Sequence, residues 1–285
     1  MRIVVFVDME GITGICCREQ TLPGEALYAE GCDLMVGDIN AVVQGLVDAG
    51  VDDIVVWDCH GRSFNVPLPP LHPAARYMRG SSANGLRGPR LDRGTDGLIL
   101  LGYHAMAGTL HAVLEHTMSS TAWFRLAVNG RAIGEIAYDA ALAGDVGVPV
   151  IMVSGDDKTC AEARAFLGRS ITTVCVKDGL SRHAALLLPP ARTAEMLREG
   201  ARQAVARRQR AKPFQFRRPA VVELTHKHTE QADGADLRPF KGCRLDGFTV
   251  QWTAPSFAAW HGFTMRRPPP SAGAGARAQA SDAVE

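Results

Sequence analysis

The sequence predicts an α/β fold: a largely parallel sheet flanked by helices, with a second, smaller α+β domain. Two observations carry this. Short apolar runs rich in Val and Ile recur without polar alternation, separated by longer helical stretches, as expected of strands buried on both faces and joined by crossover helices. Near residue 188 the pattern changes to a long Arg-rich helix followed by β-like segments.

The elements follow in order. Residues 2–7 (RIVVFV) form the first strand, residues 25–49 a helix ending before Gly50, 53–57 (DIVVW) a second strand and 97–101 (GLILL) a third. Residues 80–96 read as a Gly/Arg-rich loop. Asn129-Gly130 within 124–133 is a two-residue hairpin signal. A helix over 135–145 follows. Then come a strand at 148–153 (VPVIMV), a helix at 156–167 opened by Asp156-Asp157, and a strand at 170–176 (SITTVCV). A helix opens after Pro189-Pro190 and runs to about 210, and β-like segments lie at 219–225 and 247–252. This places a metal-binding α/β catalytic domain at 1–187 and a smaller α+β domain at 188–265. The tail, 266–285, is poor in apolar residues and rich in Pro, Gly and Ala, so disorder is expected there. No internal repeat is found.

Composition narrows the partners. The formal charge is +1, from 31 Lys/Arg against 30 Asp/Glu, which gives no electrostatic reason to expect nucleic acid or a membrane surface. No apolar stretch approaches the roughly 20 residues that span a bilayer. The opening MRIVVFVDMEG is too short and too soon acidic for a secretory leader, so a cytoplasmic location is expected. The seven cysteines, an odd number without a CxxC pair, are expected to be reduced and mostly small hydrophobes, not zinc-finger ligands.

Three strands end alike. RIVVFV runs into Asp8-Met9-Glu10-Gly11, DIVVW into Asp58-Cys59-His60-Gly61, and GLILL into Gly102-Tyr103-His104. In parallel sheets ligands gather at the carboxyl ends of the strands, so these acids and histidines can meet at one edge. Asp8 and Glu10, two apart, project to one face of an extended chain, as do Asp58 and His60, while Cys59 points the other way. Each residue alone has an ordinary explanation as a cap, a turn former or a structural histidine. Glu135, judged by its surroundings alone, is a first-turn acid favoured by the helix dipole. His226 and His228 share a strand face and read as exposed.

The segments VDMEGITGI, WDCHGRS, LGYHAMAGT, EHTMSS, NGRAIGEI, VPVIMVSGDD and KDGLSRHAA, in this order, resemble the bacterial zinc-dependent D-aminopeptidases, self-compartmentalising enzymes tied to dipeptide transport. The resemblance covers residues 1–185 well and continues weakly to about 255. It implies two zinc ions held by Asp8, Glu10, His60, His104 and Glu135, with Asp8 bridging, which overrides the reading of Glu135 as a mere first-turn acid. Such carboxylate and imidazole donors suit zinc and also manganese or cobalt, and five exceed the roughly three of one catalytic zinc. The resemblance also implies that His116 stabilises substrate or oxyanion through an imidazole N–H without being a ligand. Lys177 falls in a matching segment and is expected to contact substrate; Glu10 and Glu115 are candidate proton donors. The implied substrate is a short peptide with a free amino terminus and an N-terminal D-residue, D-alanine above all, and the implied assembly is a decameric ring of identical chains. The alternatives are another metal-dependent amidase or esterase, and a non-catalytic peptide-binding protein serving transport. The sequence departs from the family in an extra residue between His104 and His116, in the Gly/Arg-rich loop, and after SFAAWHGFTM, which stands where an apolar helix is expected.

Overall fold

The computed structural model describes residues 1–80 and 88–264; the expected tail at 266–285 and the middle of the Gly/Arg-rich loop lie outside the described residues. The chain opens with β1 (Arg2–Val7), α1 (Tyr28–Asp48), β2 (Asp53–Asp58), β3 (Ala75–Met78) and β4 (Gly97–Leu101). It continues through β5 (Trp123–Val128), β6 (Arg131–Ile133), α2 (Glu135–Asp145), β7 (Val150–Asp156), α3 (Asp157–Leu167), β8 (Thr172–Ser181), β9 (Ala184–Leu187) and α4 (Pro190–Arg207). The last elements are β10 (Ala220–His226), α5 (Thr229–Asp233), β11 (Cys243–Arg244), β12 (Thr249–Ala254) and α6 (Phe257–Thr264).

The expected α/β architecture is present. The first sheet has the order β3-β2-β1-β4-β7-β8-β9 and is parallel except for β9. The second has the order β11-β12-β10-β5-β6 and is antiparallel. From β1 the chain moves outward to β2 and β3, then returns to β4 on the other side. The crevice between β1 and β4 is therefore a topological switch point, where open α/β sheets bind ligands.

Strand β1 shows why its run lacks alternation. Ile3, Val5 and Val7 pack in one core with α1 and α4 residues such as Ile39, Val42, Leu197 and Ala201. Val4 and Phe6 face the opposite core with Ile136, Ala140 and Ala143 of α2. Helix α2 is wedged between the sheets: its Ala137, Tyr138 and Ala141 join the core of the second sheet with Trp252 and Trp260. Its first residue, Glu135, thereby stands between the two layers.

The sheets do not follow the expected division at 187/188. Helix α4, expected in the second domain, packs along α1 on the first sheet: Gly45 of α1 and the small Ala201 of α4 let the helices approach, while Gly200 lets α4 settle onto Val174 of β8. The hairpin β5–β6, expected with the first domain, pairs with β10 in the second sheet. SFAAWHGFTM contains a short helix after all, α6, whose Phe257 and Trp260 close the second core. All seven cysteines are free, and no helix among the described residues is long and apolar enough to cross a membrane.

The α1–α4 contact yields a test. A Cβ at Gly45 lies 2.2 Å from the Arg198 carbonyl oxygen, whereas one at Gly37, also in α1, meets nothing within 4 Å. Alanine gains about 1 kcal/mol of helix propensity over glycine, while forcing packed backbones apart costs about 1–3 kcal/mol. Chemical denaturation should therefore show Gly37→Ala as neutral to stabilising and Gly45→Ala as destabilising; equal effects would contradict this packing.

Candidate metal centre

Close backbone approach at the switch point builds the site. The Asp8 N–H donates to the Leu101 carbonyl at 2.9 Å, one step past the end of β1, and the Gly11 N–H donates to the Gly102 carbonyl at 2.8 Å. A Cβ on Gly11 would stand 1.8 Å from the Tyr103 carbonyl oxygen. Gly102 has φ +69°, and a Cβ there would be 2.5 Å from the Asp8 carbonyl oxygen. Only glycine fits either position. Next door, the Cys59 N–H donates to the Val7 carbonyl and the Cys59 thiol turns to the same oxygen at 3.1 Å, in keeping with its packing role. Asn65 ties down the following turn, donating to both Asp58 carboxylate oxygens and to the His60 carbonyl.

All six expected site residues converge. His60 Nδ1 lies 3.1 Å from Asp8 Oδ1 and 3.2 Å from Glu10 Oε2. His104 Nε2 lies 3.3 Å from Asp8 Oδ2 and 3.3 Å from Glu135 Oε1. The two oxygens of Asp8 thus face different histidines. His116 Nε2 is 3.6 Å from Glu135 Oε1, and the His116 ring stacks on that of His104, centroids 4.0 Å apart. The Met118 N–H donates to Glu135 Oε1 at 2.7 Å. Ligand atoms within 4.8 Å of one another form two groups, Asp8–Glu10–His60 and His104–His116–Glu135.

Each imidazole commits its other nitrogen to a main-chain carbonyl: His60 Nε2–H to Thr21 at 2.9 Å, His104 Nδ1–H to Ala105 at 3.0 Å, and His116 Nδ1–H to Leu114 at 3.0 Å. A carbonyl only accepts, so the proton sits on that nitrogen and the neutral ring turns a lone pair toward the carboxylates. Lone pairs facing carboxylate oxygens require a cation between them, either protons or a metal. Buried Glu10 Oε2 and His104 Nε2 make no hydrogen bond of acceptable geometry, so the donors present fit a divalent ion.

Without a metal, protons meet this demand. Burial opposes charge on both rings, yet Glu10 and Asp8 hold His60 well above the ordinary histidine range, and Asp8 and Glu135 do the same for His104. Burial likewise opposes the carboxylates, but the His104 and His60 rings beside it hold Asp8 well below its usual range, and His104 brings Glu135 down to about 2.

Other expectations fare differently. Lys177 is 1% exposed and donates to the carbonyls of Glu10, Ile12 and Ile15, so it contacts no substrate. Glu115 is ion-paired with Arg182 and belongs to neither group of candidate ligand atoms. His226 ends β10 and lines a cavity of about 880 Å³ on the second sheet together with Trp123 and Trp252; none of the six site residues lines it. Sequence reasoning missed Glu162 of α3. It is 7% exposed, accepts the Met106 N–H at 2.8 Å and so steadies the loop after His104. Burial pushes its carboxyl up to about 7. Nothing in AEARAFL signals this, because the contact is 56 residues away in sequence.

A family model described as D-aminopeptidase, of the M55 peptidases, matches residues 1–265. The D-aminopeptidase of Bacillus subtilis (strain 168) is 31% identical over 254 residues, spanning 89% of this chain and 92% of its own. The solved Zn-dependent D-aminopeptidase DppA from Bacillus subtilis, a self-compartmentalizing protease, superposes with a TM-score of 0.86 at 30% identity, covering 93% of this chain and 96% of the other.

The charge arrangement predicts how chelator-treated protein responds to pH. The histidines' pKa values are raised on folding, so their contribution is complete below 6.5 and is lost as pH rises through the elevated folded values. The pKa values of Asp8 and Glu135 are lowered, so their contribution is complete above about 4.5 and is lost as pH falls, toward about 2 for Glu135. Thermal melts of chelated protein should show these contributions together between about 4.5 and 6.5 and a decline above. Zinc should abolish the alkaline decline, since metal binding displaces protons. A chelated protein that gains stability above that window would contradict the assignment.

Proposed function

The chain belongs to the D-aminopeptidase family, and on that premise we propose that it is a zinc-dependent hydrolase that removes N-terminal D-amino acids, D-alanine foremost, from short peptides. The observation that carries the reading is the Asp8 carboxylate, whose two oxygens face His60 and His104 separately. Asp8, Glu10 and His60 would hold one ion, and Asp8, His104 and Glu135 the other. The zinc-dependence of DppA supports zinc, and the carboxylate–imidazole donor set also suits manganese or cobalt. Bound there, divalent metal supplies Lewis-acid polarisation of the scissile carbonyl and makes a water easier to deprotonate.

The chain's own residues do the rest. The side chains of His60 and His116 are 13% and 16% exposed, against 8% or less for Asp8, Glu10, His104 and Glu135. Substrate therefore arrives past the two histidines at the rim. With Nδ1–H committed to Leu114, neutral His116 offers its Nε2 lone pair to the attacking water's proton. As imidazolium it stands ready to stabilise the oxyanion and then return that proton to the leaving amine. An oxyanion role for His116 thus needs the protonated ring. A second reading, His116 as a further ligand beside His104 and Glu135, is favoured by their grouping within 4.8 Å.

The self-compartmentalizing character of DppA supports an assembly of identical chains, which we read as a decameric ring supplying D-residues from transported peptides. Free cysteines throughout support a reducing, cytoplasmic setting.

D-Ala-D-Ala and L-Ala-L-Ala, each assayed with zinc and after chelation, test the reading: zinc-dependent release of alanine from the D-dipeptide alone is expected. Cleavage of neither, with two ions bound, would move the site to another amide or ester. For His116→Ala, kcat should fall about 10²–10⁴-fold with both ions retained by elemental analysis; loss of an ion would favour the ligand reading instead.

A further inference from the structure

We propose that the buried ammonium of Lys177 is an internal counter-cation that shapes residues 10–15 into a metal-binding loop, making Lys177 a positioning residue for the Asp8–Glu10–His60 half of the centre. The inference rests on the two-metal reading above and extends it to a residue outside the ligand set.

Burying an ammonium is costly unless every donor is matched. Lys177 reaches from β8 with its side chain fully enclosed, and its Nζ lies 2.7, 2.8 and 2.6 Å from the carbonyl oxygens of Glu10, Ile12 and Ile15. An ammonium carries three N–H donors, and the loop presents three carbonyls, so the match is complete. These oxygens come from one six-residue loop bent around a single point. The loop is pinned further by Asp38 of α1, which accepts the Thr13 N–H at 2.9 Å, and by the Gly11 bond to Gly102. Lys177 thus replaces the water or ion that a carbonyl cage otherwise requires. Emptying the cage takes the ammonium from all three carbonyls, of which Ile12 keeps only the Ile15 N–H at 3.2 Å, and the loop must turn to satisfy the others, carrying Glu10 out of register with His60.

The other half of the centre is held independently. His104 is fixed by its bond to Ala105, and Glu135 by the Met118 N–H and its place at the start of α2. Loss of Lys177 should therefore be felt at one metal and not at the other. Electrostatics alone predicts the opposite sign. A positive charge beside a dication weakens its binding, so deleting Lys177 would tighten metal if charge were its only effect.

The test compares zinc titrations of chelator-stripped wild type, Lys177→Met and Lys177→Ala, with Val176→Ala as a control that thins the same strand's core packing. The expected result is a loss of about 10–100-fold in affinity at one of two sites, the scale for outer-shell partners of metal ligands, with the second site and the Val176→Ala protein near wild type. Propylammonium, which supplies the missing end of the side chain, should restore the weakened site in Lys177→Ala, and n-propanol should not. Unchanged or tightened zinc binding, an equal loss at both sites, the same loss in Val176→Ala, or a Lys177→Ala protein that neither folds nor recovers its site with propylammonium would overturn the proposal. Wild-type protein that takes up no zinc would refute the two-metal reading itself, before any variant is compared.

Discussion

The structure turns on three imidazoles that each give one nitrogen to a main-chain carbonyl. Thr21, Ala105 and Leu114 fix the tautomers of His60, His104 and His116. That choice leaves lone pairs pointing at Asp8, Glu10 and Glu135, an arrangement stable only around positive charge. The surrounding fold holds those carbonyls in place. Asn65 locks the turn after β2, Gly102 lets the loop after β4 pass under Asp8, and Glu162 grips the chain at Met106.

The second sheet has a role in the site although it supplies no ligand from its strands. Helix α2 buries both flanks, one against each sheet, so its first residue is fixed in position and in direction. The hairpin ahead of it delivers Glu135 to the edge of the first sheet. A carboxylate at a free helix start is a mobile cap; clamped between layers and receiving the Met118 N–H, Glu135 is held rigid.

Much of this was legible in the sequence because the information is local. An unbroken Val/Ile run announces a doubly buried strand, and the acids and histidines immediately after β1, β2 and β4 point to the edge where they meet. The ordered motifs named the family, which the comparisons bear out, and added His116 and Glu135, the latter suggested by its surroundings alone only as a first-turn acid. Layer membership was not legible. The β5–β6 hairpin reveals its sheet only through β10, as in the pairing of Glu223 with Ala127, and helix α4 pairs with α1 across 150 residues, as in the bond from Arg198 to Asp48. Strand β3 is half exposed and has no apolar run to announce it. Lys177 and Glu162 were misjudged or missed for the same reason: their chemistry lies in contacts 162–167 and 56 residues distant.

The central claim is that one carboxylate, Asp8, is shared by two metal positions. A crystal of the zinc-loaded protein, with anomalous differences collected on both sides of the zinc absorption edge, tests it most directly. Two anomalous peaks are expected, one among Asp8, Glu10 and His60 and one among Asp8, His104 and Glu135, with an Asp8 oxygen on each. A single peak, or a pair that leaves Asp8 on only one of them, would contradict the account.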